Sequence, residues 1–68
     1  MKISARNVLK GKVVEVKKGA TTSHVRIAIS GGVVTASITN EAVEELGLKK
    51  GMAASAVIKA SDVMVAID

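Results

Sequence analysis

Cysteine and the aromatic residues Phe, Tyr and Trp are absent from this 68-residue sequence. Without cysteine the chain has neither disulfides nor the zinc centres that thiolates build. The one histidine, His24, does not form a structural metal site by itself, so we expect no protein–metal ligands. A single domain of this size buries only about 60% of the surface that its unfolded chain exposes. Association with further copies is the remaining way to stabilise it, and we expect a homo-oligomer.

Long hydrophobic runs are also missing. No apolar stretch approaches the ~20 residues that cross a bilayer. The N-terminal residues Met1 to Ser4 contain no hydrophobic segment of the kind that directs secretion. We therefore expect a cytoplasmic protein without a membrane partner. The net charge of +4, from ten Lys and Arg against six Asp and Glu, favours an anionic partner.

The chemistry of the side chains argues against an enzyme. A nucleophilic triad needs a base beside a serine, and the only histidine, His24, lies in the middle of a predicted strand beside polar neighbours. The glutamates at 41, 44 and 45 fit the solvated face of a short helix. No phosphate-binding loop and no paired metal-ligand motif is present. We expect no catalytic residues and no cofactor.

Nucleic-acid binding is an alternative for a small basic domain. Such domains hold single strands by stacking bases on aromatic side chains, at about 1–3 kcal/mol for each base. This sequence has no aromatic residue, and its lysines are scattered among acids and turns. We expect no nucleic-acid partner, although a single-strand binder and a ligand-free assembly domain remain alternatives.

Alternation of β-branched and polar residues predicts five strands, and one segment changes to a helical period. Gly11 within the first strand predicts a bulge or bend, and Gly31-Gly32 predicts a hairpin turn. The predicted strands are 8–18, 23–30, 33–39, 52–59 and 62–67.

The helical segment is 40–47, where a capping residue and acidic residues precede Val43, Leu46 and a terminal Gly47. The order is three strands, a short helix and two strands. This order and size predict an all-β OB-fold, a five-stranded Greek-key barrel with the helix between strands 3 and 4. We expect residues 1–68 to form a single domain.

Two groups of hydrogen-bond donors predict a small-anion site. Near the N-terminus, Ser4 offers a hydroxyl, Ala5 a backbone N–H and Arg6 a planar charged fork. Near the C-terminus, Lys59 adds a second charge and Ser61 a second hydroxyl. The start of the helix, at Thr39 and Asn40, offers unpaired N–H groups as well. Taken singly, each of these residues also fits a helix cap or an exposed surface position.

Three motifs together give the sequence a family resemblance. They are Ser4-Ala5-Arg6-Asn7 followed by Gly11, then 43–48 (VEELGL), then 57–63 (VIKASDV). The sequence thereby resembles the molbindins, small cytoplasmic proteins that bind molybdate or tungstate. The resemblance implies an OB-fold subunit, a hexamer built as a trimer of dimers, and storage and homeostasis of these oxyanions. The sequence does not distinguish molybdate from tungstate.

The resemblance also implies which residues bind the anion, at sites shared between subunits. One subunit would contribute the two terminal groups and another the start of the helix, with backbone N–H groups at Ala42. The implied site residues are Ser4, Ala5, Arg6, Thr39, Asn40, Ala42, Lys59 and Ser61. A second class of site is expected on the turn formed by Gly19, Ala20, Thr21 and Thr22.

Overall fold

A computed structural model describes residues 1–68 and contains four strands, one α-helix and a 3₁₀ turn. Each strand begins and ends within one residue of its predicted range, because β-branched residues at alternate positions favour an extended backbone with one buried face. The elements in chain order are β1 (Asn7–Lys18), β2 (Thr22–Ile29), β3 (Gly32–Thr39), α1 (Asn40–Leu46), β4 (Ala53–Ile58) and the 3₁₀ turn (Ala60–Asp62).

The strands form one antiparallel sheet in the order β3-β2-β1-β4. β1 is long enough to pair twice: its residues 7–12 pair with β4 and its residues 12–18 pair with β2. This order is consistent with an OB-fold. The outer edges of β3 and β4 have no partner strand, so the sheet is open.

β1 bends where it changes partner. The register against β2 shifts between Val13 and Glu15, and the bulge lies there. The sequence had predicted a bulge or bend at Gly11. Gly11 has a different role, because a Cβ at this position would overlap the backbone carbonyl of Ala28 on β2. The glycine permits the close approach of β1 to β2 at the point where β4 also pairs with β1.

Helix α1 is defined by a cap at each end. The Oγ1 of Thr39 accepts a hydrogen bond of 3.1 Å from the backbone N–H of Ala42, and Thr39 is therefore the N-cap. Gly47 ends the helix in the left-handed conformation, with φ of 62°. α1 follows β3 and precedes β4. No helix of the chain combines the length and the apolar character needed to cross a membrane.

The predicted fifth strand, 62–67, does not form within the chain. Asp62 ends the 3₁₀ turn, and residues 63–68 have no regular secondary structure. The side chains of Met64, Val65 and Ile67 are each more than nine-tenths exposed. A strand requires a partner for its backbone N–H and C=O groups, and this segment does not lie against a strand edge of its own chain. The five-stranded closed barrel is therefore not formed by one chain.

The core is small. One polar residue, Ser23, and five apolar residues are buried, out of 68. Val43 is the contribution of α1, which packs against β2 and β3. The buried apolar residues are Val13, Val25, Ile27, Val43 and Ala56.

An open apolar groove of about 570 Å³ lies between β3 and β4. Val25 and Ile27 of β2 contribute to it from the core, and β3 and β4 form its two sides. Of the 15 residues that line the groove, 13 are hydrophobic. A single copy of the chain thus exposes to water a surface of the kind that normally lies inside a barrel.

Substitution Gly11→Ala tests the close approach of β1 to β2. We expect a loss of about 1–3 kcal/mol in the free energy of unfolding, because the added methyl group forces the strands apart. Denaturant unfolding at a fixed chain concentration measures this loss.

Gly32→Ala is the matched control, because nothing lies within 4 Å of a Cβ at Gly32. We expect this variant to differ from the parent by less than about 0.5 kcal/mol. Equal stability of the two variants would show that the contact with Ala28 is not limiting.

Candidate functional site

The structure brings together the two terminal groups predicted for the anion site. Asn7 and Ile58 are the last pair of the β1–β4 ladder, and the side-chain Nδ2 of Asn7 donates to the Ile58 carbonyl at 3.2 Å. Arg6 immediately precedes Asn7, and Lys59 immediately follows Ile58. The antiparallel register therefore places the two cationic residues beside each other. We call this group the terminal cluster; its members are Ser4, Ala5, Arg6, Lys59 and Ser61.

The cations of the terminal cluster are not neutralised within the chain. Arg6 and Lys59 are exposed and form no ion pair. The two ion pairs of the chain lie elsewhere, between Lys18 and Glu44 at 3.7 Å and between Arg26 and Glu15 at 4.0 Å. The cluster thus combines two free positive charges with two hydroxyl groups, which is a suitable donor set for an oxyanion.

The remaining predicted residues form a second group around Asn40. The Asn40 Nδ2 donates to the carbonyls of Gly19 at 3.1 Å and Ala20 at 3.3 Å. Its Oδ1 accepts a hydrogen bond from the hydroxyl of the buried Ser23, and its backbone N–H donates to the Thr21 carbonyl at 2.9 Å. Asn40 therefore connects the start of α1 to the β1–β2 turn. We call this group the helix-start cluster; its members are Thr39, Asn40, Ala42, Gly19, Ala20, Thr21 and Thr22.

Two donors of the helix-start cluster are already used inside the chain. The Asn40 N–H is bonded to Thr21, and the Ala42 N–H is bonded to the Thr39 hydroxyl. The Asn40 side chain is likewise occupied by three partners within the chain. In the single chain, Asn40 therefore holds the β1–β2 turn against the start of α1.

The two clusters lie at opposite ends of β1. The terminal cluster adjoins Asn7, and the helix-start cluster adjoins Lys18, whose partner Ser23 follows the β1–β2 turn. Twelve strand residues at ~3.3 Å each give β1 a contour length of about 40 Å, with one cluster at each end. One chain therefore does not bring them together. The turn 19–22 was predicted as a second anion site. It lies against the helix start, which was predicted as part of the first anion site.

A polar cleft beside this turn contains residues that the sequence did not indicate. It has a volume of about 210 Å³ and no hydrophobic lining. Gly19 and Thr22 were predicted, whereas Lys17, Lys18 and His24 were not. Lys17 and His24 are cross-strand partners, and only the register after the bulge in β1 places them together. The alternation pattern shows which face a residue occupies and not which residue lies opposite.

Comparison with known proteins gives a family match over nearly the whole chain. The model of the TOBE domain matches residues 3–65. Molybdenum-pterin-binding protein 3 of Clostridium pasteurianum is 54% identical over 66 residues, which are 96% of this chain and 97% of that protein.

Solved structures agree with the sequence match. A molybdate-binding protein from Sporomusa ovata superposes with a TM-score of 0.94 at 34% identity, over 98% of this chain and 100% of that one. ModG, described as a cytoplasmic molybdate-binding protein and solved with molybdate bound, has a TM-score of 0.90 at 51% identity. That match covers 94% of this chain and 46% of ModG.

Substitution Asn40→Ala tests the link between α1 and the β1–β2 turn. It removes the acceptor of the buried Ser23 hydroxyl and the donor to two turn carbonyls. We expect a loss of about 1–3 kcal/mol in the free energy of unfolding, because a buried hydroxyl is left without a partner. Chemical denaturation followed by circular dichroism measures it.

Glu45→Ala, at an exposed position of the same helix, is the control and should change stability by less than about 0.5 kcal/mol. If Asn40→Ala were equally harmless, the hydrogen bonds of Asn40 would not stabilise the fold.

Proposed function

The chain belongs to the TOBE domain family, as the resemblance to molbindins predicted, and from that premise we propose that it binds molybdate and tungstate. Its role is intracellular storage and homeostasis of these oxyanions in the cytoplasm, and it catalyses no reaction. The names of its relatives and of ModG support a molybdenum oxyanion as the ligand.

The terminal cluster is the observation on which this proposal rests. Arg6 and Lys59 lie side by side at the end of the β1–β4 ladder and have no carboxylate partner. A bound dianion would neutralise both charges, and the hydroxyls of Ser4 and Ser61 would replace water around its oxygens. The net charge of +4 further supports an anionic ligand.

Binding requires only exchange of the hydration shell. An oxyanion transferred from water must recover its hydrogen bonds from protein donors, and charged donors give the strongest ones. Arg6 offers two parallel N–H groups to two anion oxygens, whereas Lys59 offers a mobile point charge. Sulfate has the same charge but a smaller radius, so the size of the closed site selects the larger anions.

The site is completed by a second copy of the chain. The two clusters lie at opposite ends of β1, so one subunit contributes the terminal cluster and its neighbour contributes the start of α1 around Thr39. We propose a homohexamer, arranged as a trimer of dimers, with further anions bound at the turn 19–22. The polar cleft beside that turn, in which Lys17 has no carboxylate partner, supports the second class of site.

The ligand that we propose is the inorganic oxyanion and not a pterin complex, although the relatives are named for molybdenum-pterin binding. A pterin ring is flat and aromatic, and proteins commonly hold such rings against aromatic side chains. This chain has no aromatic residue. Hydroxyls, amides and cations suit the oxyanion itself.

Isothermal titration of the purified protein with molybdate, tungstate and sulfate tests the ligand. We expect saturable heat with the first two and at least tenfold weaker binding of sulfate. The absence of heat with molybdate and tungstate, or equal affinity for sulfate, would contradict the proposal.

Substitution Arg6→Ala tests the site. We expect molybdate affinity to fall at least tenfold, because a charged hydrogen bond is worth about 1.5–3 kcal/mol and 1.4 kcal/mol corresponds to a factor of ten. The matched control is Arg26→Ala, which removes an arginine paired with Glu15 and remote from the cluster. Light scattering should show the parent assembly in both variants. Equal molybdate affinities for the two variants would exclude Arg6 from the site.

A further inference from the structure

The polar cleft beside the β1–β2 turn contains one lysine that is neutralised and one that is not. Lys18 lies 3.7 Å from the carboxylate of Glu44, so α1 already balances its charge. Lys17 has no carboxylate partner. The cleft has a volume of about 210 Å³ and no hydrophobic lining. With a neutral histidine it offers one unpaired cation to an anion, whereas the terminal cluster offers two.

His24 is the third ionisable residue of the cleft, and it lies opposite Lys17. The two are cross-strand partners in the β1–β2 ladder. Side chains at such directly opposed positions have Cβ atoms about 4.5–5.5 Å apart. His24 is exposed on the outer face of the sheet, because its neighbours Ser23 and Val25 are buried on the inner face. An anion in the cleft can therefore contact both cationic side chains.

No carboxylate of the chain is paired with His24. The residue opposite it on β3 is Ser37, which is uncharged. The next pair along the outer face is Arg26 with Glu15, and these two form their own ion pair at 4.0 Å. The Glu44 carboxylate is already in its ion pair with the cleft lysine. A proton taken up by His24 thus adds a positive charge that the chain does not neutralise.

The backbone of the turn leaves the binding of an anion to the side chains. The Gly19 N–H donates to the Thr22 carbonyl at 2.7 Å and is not free. The carbonyls of Gly19 and Ala20 accept hydrogen bonds from the Asn40 side chain. The attraction of the cleft for an anion therefore depends on the charges of its side chains.

We infer that His24 is a proton-dependent anion ligand, so that the cleft binds its oxyanion more tightly as the pH falls. The inference rests on the proposed function, which binds the second anion at this turn. Histidine gains its charge between pH 5 and 8. Below that range the cleft has two free cations, Lys17 and His24, beside the Thr22 hydroxyl. As the pH rises through that range, one of the two charges is lost and the affinity falls.

The two classes of site then respond differently to pH. The terminal cluster contains no histidine, and arginine and lysine side chains stay charged near neutral pH. The α-amino group of Met1 also belongs to a class that titrates in this range, but it is the same in every variant described below. A fall in pH therefore adds capacity at the cleft without changing the charged side chains of the terminal cluster.

Proton NMR of His24 tests the inference. The chain has one histidine and no Phe, Tyr or Trp, so the ring protons of His24 are its only aromatic C–H signals. Their chemical shifts are followed between pH 6 and 8.5, with saturating molybdate and without it, at equal ionic strength. Exposed charge pairs typically change affinity by about threefold. By linkage, we expect molybdate to move the midpoint of this titration about 0.5 pH higher. An unmoved midpoint would overturn the inference.

Calorimetric titration with molybdate at pH 6 and pH 8 compares three chains. All carry Arg6→Ala, which weakens the terminal cluster, so the remaining heat comes from the cleft. With His24 present, we expect about threefold tighter binding at pH 6 than at pH 8. His24→Gln should remove this difference and bind weakly at both values. His24→Lys, with a permanent charge, should bind tightly at both. The same pH dependence in His24→Gln as with His24 would contradict the role of this residue.

Titration of the parent protein separates failure of the inference from failure of the proposed function. Absence of molybdate heat in the parent at both pH values would refute the oxyanion ligand, and this inference with it. Parent heat that Arg6→Ala abolishes at both pH values would preserve the terminal cluster and refute the cleft. Cleft binding that does not respond to substitution of His24 would refute only the proton-dependent ligand.

Discussion

β1 pairs with two strands, and this double pairing organises the whole sheet. The N-terminal half of the strand pairs with β4 and its C-terminal half with β2, so one strand holds both sides of the sheet. This arrangement requires a sharp bend, which the bulge near Val13 and the missing side chain of Gly11 permit. The pairing with β4 also brings Arg6 beside Lys59. The same backbone geometry therefore shapes the core and assembles the terminal cluster.

Few residues stabilise the single chain. Six residues are buried, and a groove that would be the interior of a closed barrel is open to water. Hydrophobic stabilisation is proportional to the apolar area removed from water, so this chain gains less of it alone than in an assembly. In the homo-oligomer that we propose, folding and association would be coupled, and the stability of the protein would depend on its concentration.

The polar groups of the structure lie at the ends of the strands, where backbone pairing stops. At one end Asn7 closes the β1–β4 ladder and the terminal cluster follows. At the other, Asn40 joins α1 to the β1–β2 turn and leaves a polar cleft beside Lys17 and His24. At both ends backbone carbonyls accept hydrogen bonds from side chains, Ile58 from Asn7 and Gly19 from Asn40. A binding site that replaces water around an ion needs such fixed donors.

Four strands, the helix, the family and the composition of the terminal cluster could be predicted from the sequence, whereas the predicted fifth strand does not form within the chain. Alternation and capping are local properties, and the bounds of β1 to β4 follow from them to within one residue. Motifs around Arg6 and Lys59 predicted the family, and the match of the TOBE domain over residues 3–65 confirms it. Which distant residues become neighbours is known only from the folded chain. It separated the helix start from the terminal cluster, joined Asn40 to the turn at Gly19, and left 63–67 without a partner. Strand pairing, register and the identity of the chain that completes a sheet are non-local, and no periodicity along one sequence specifies them.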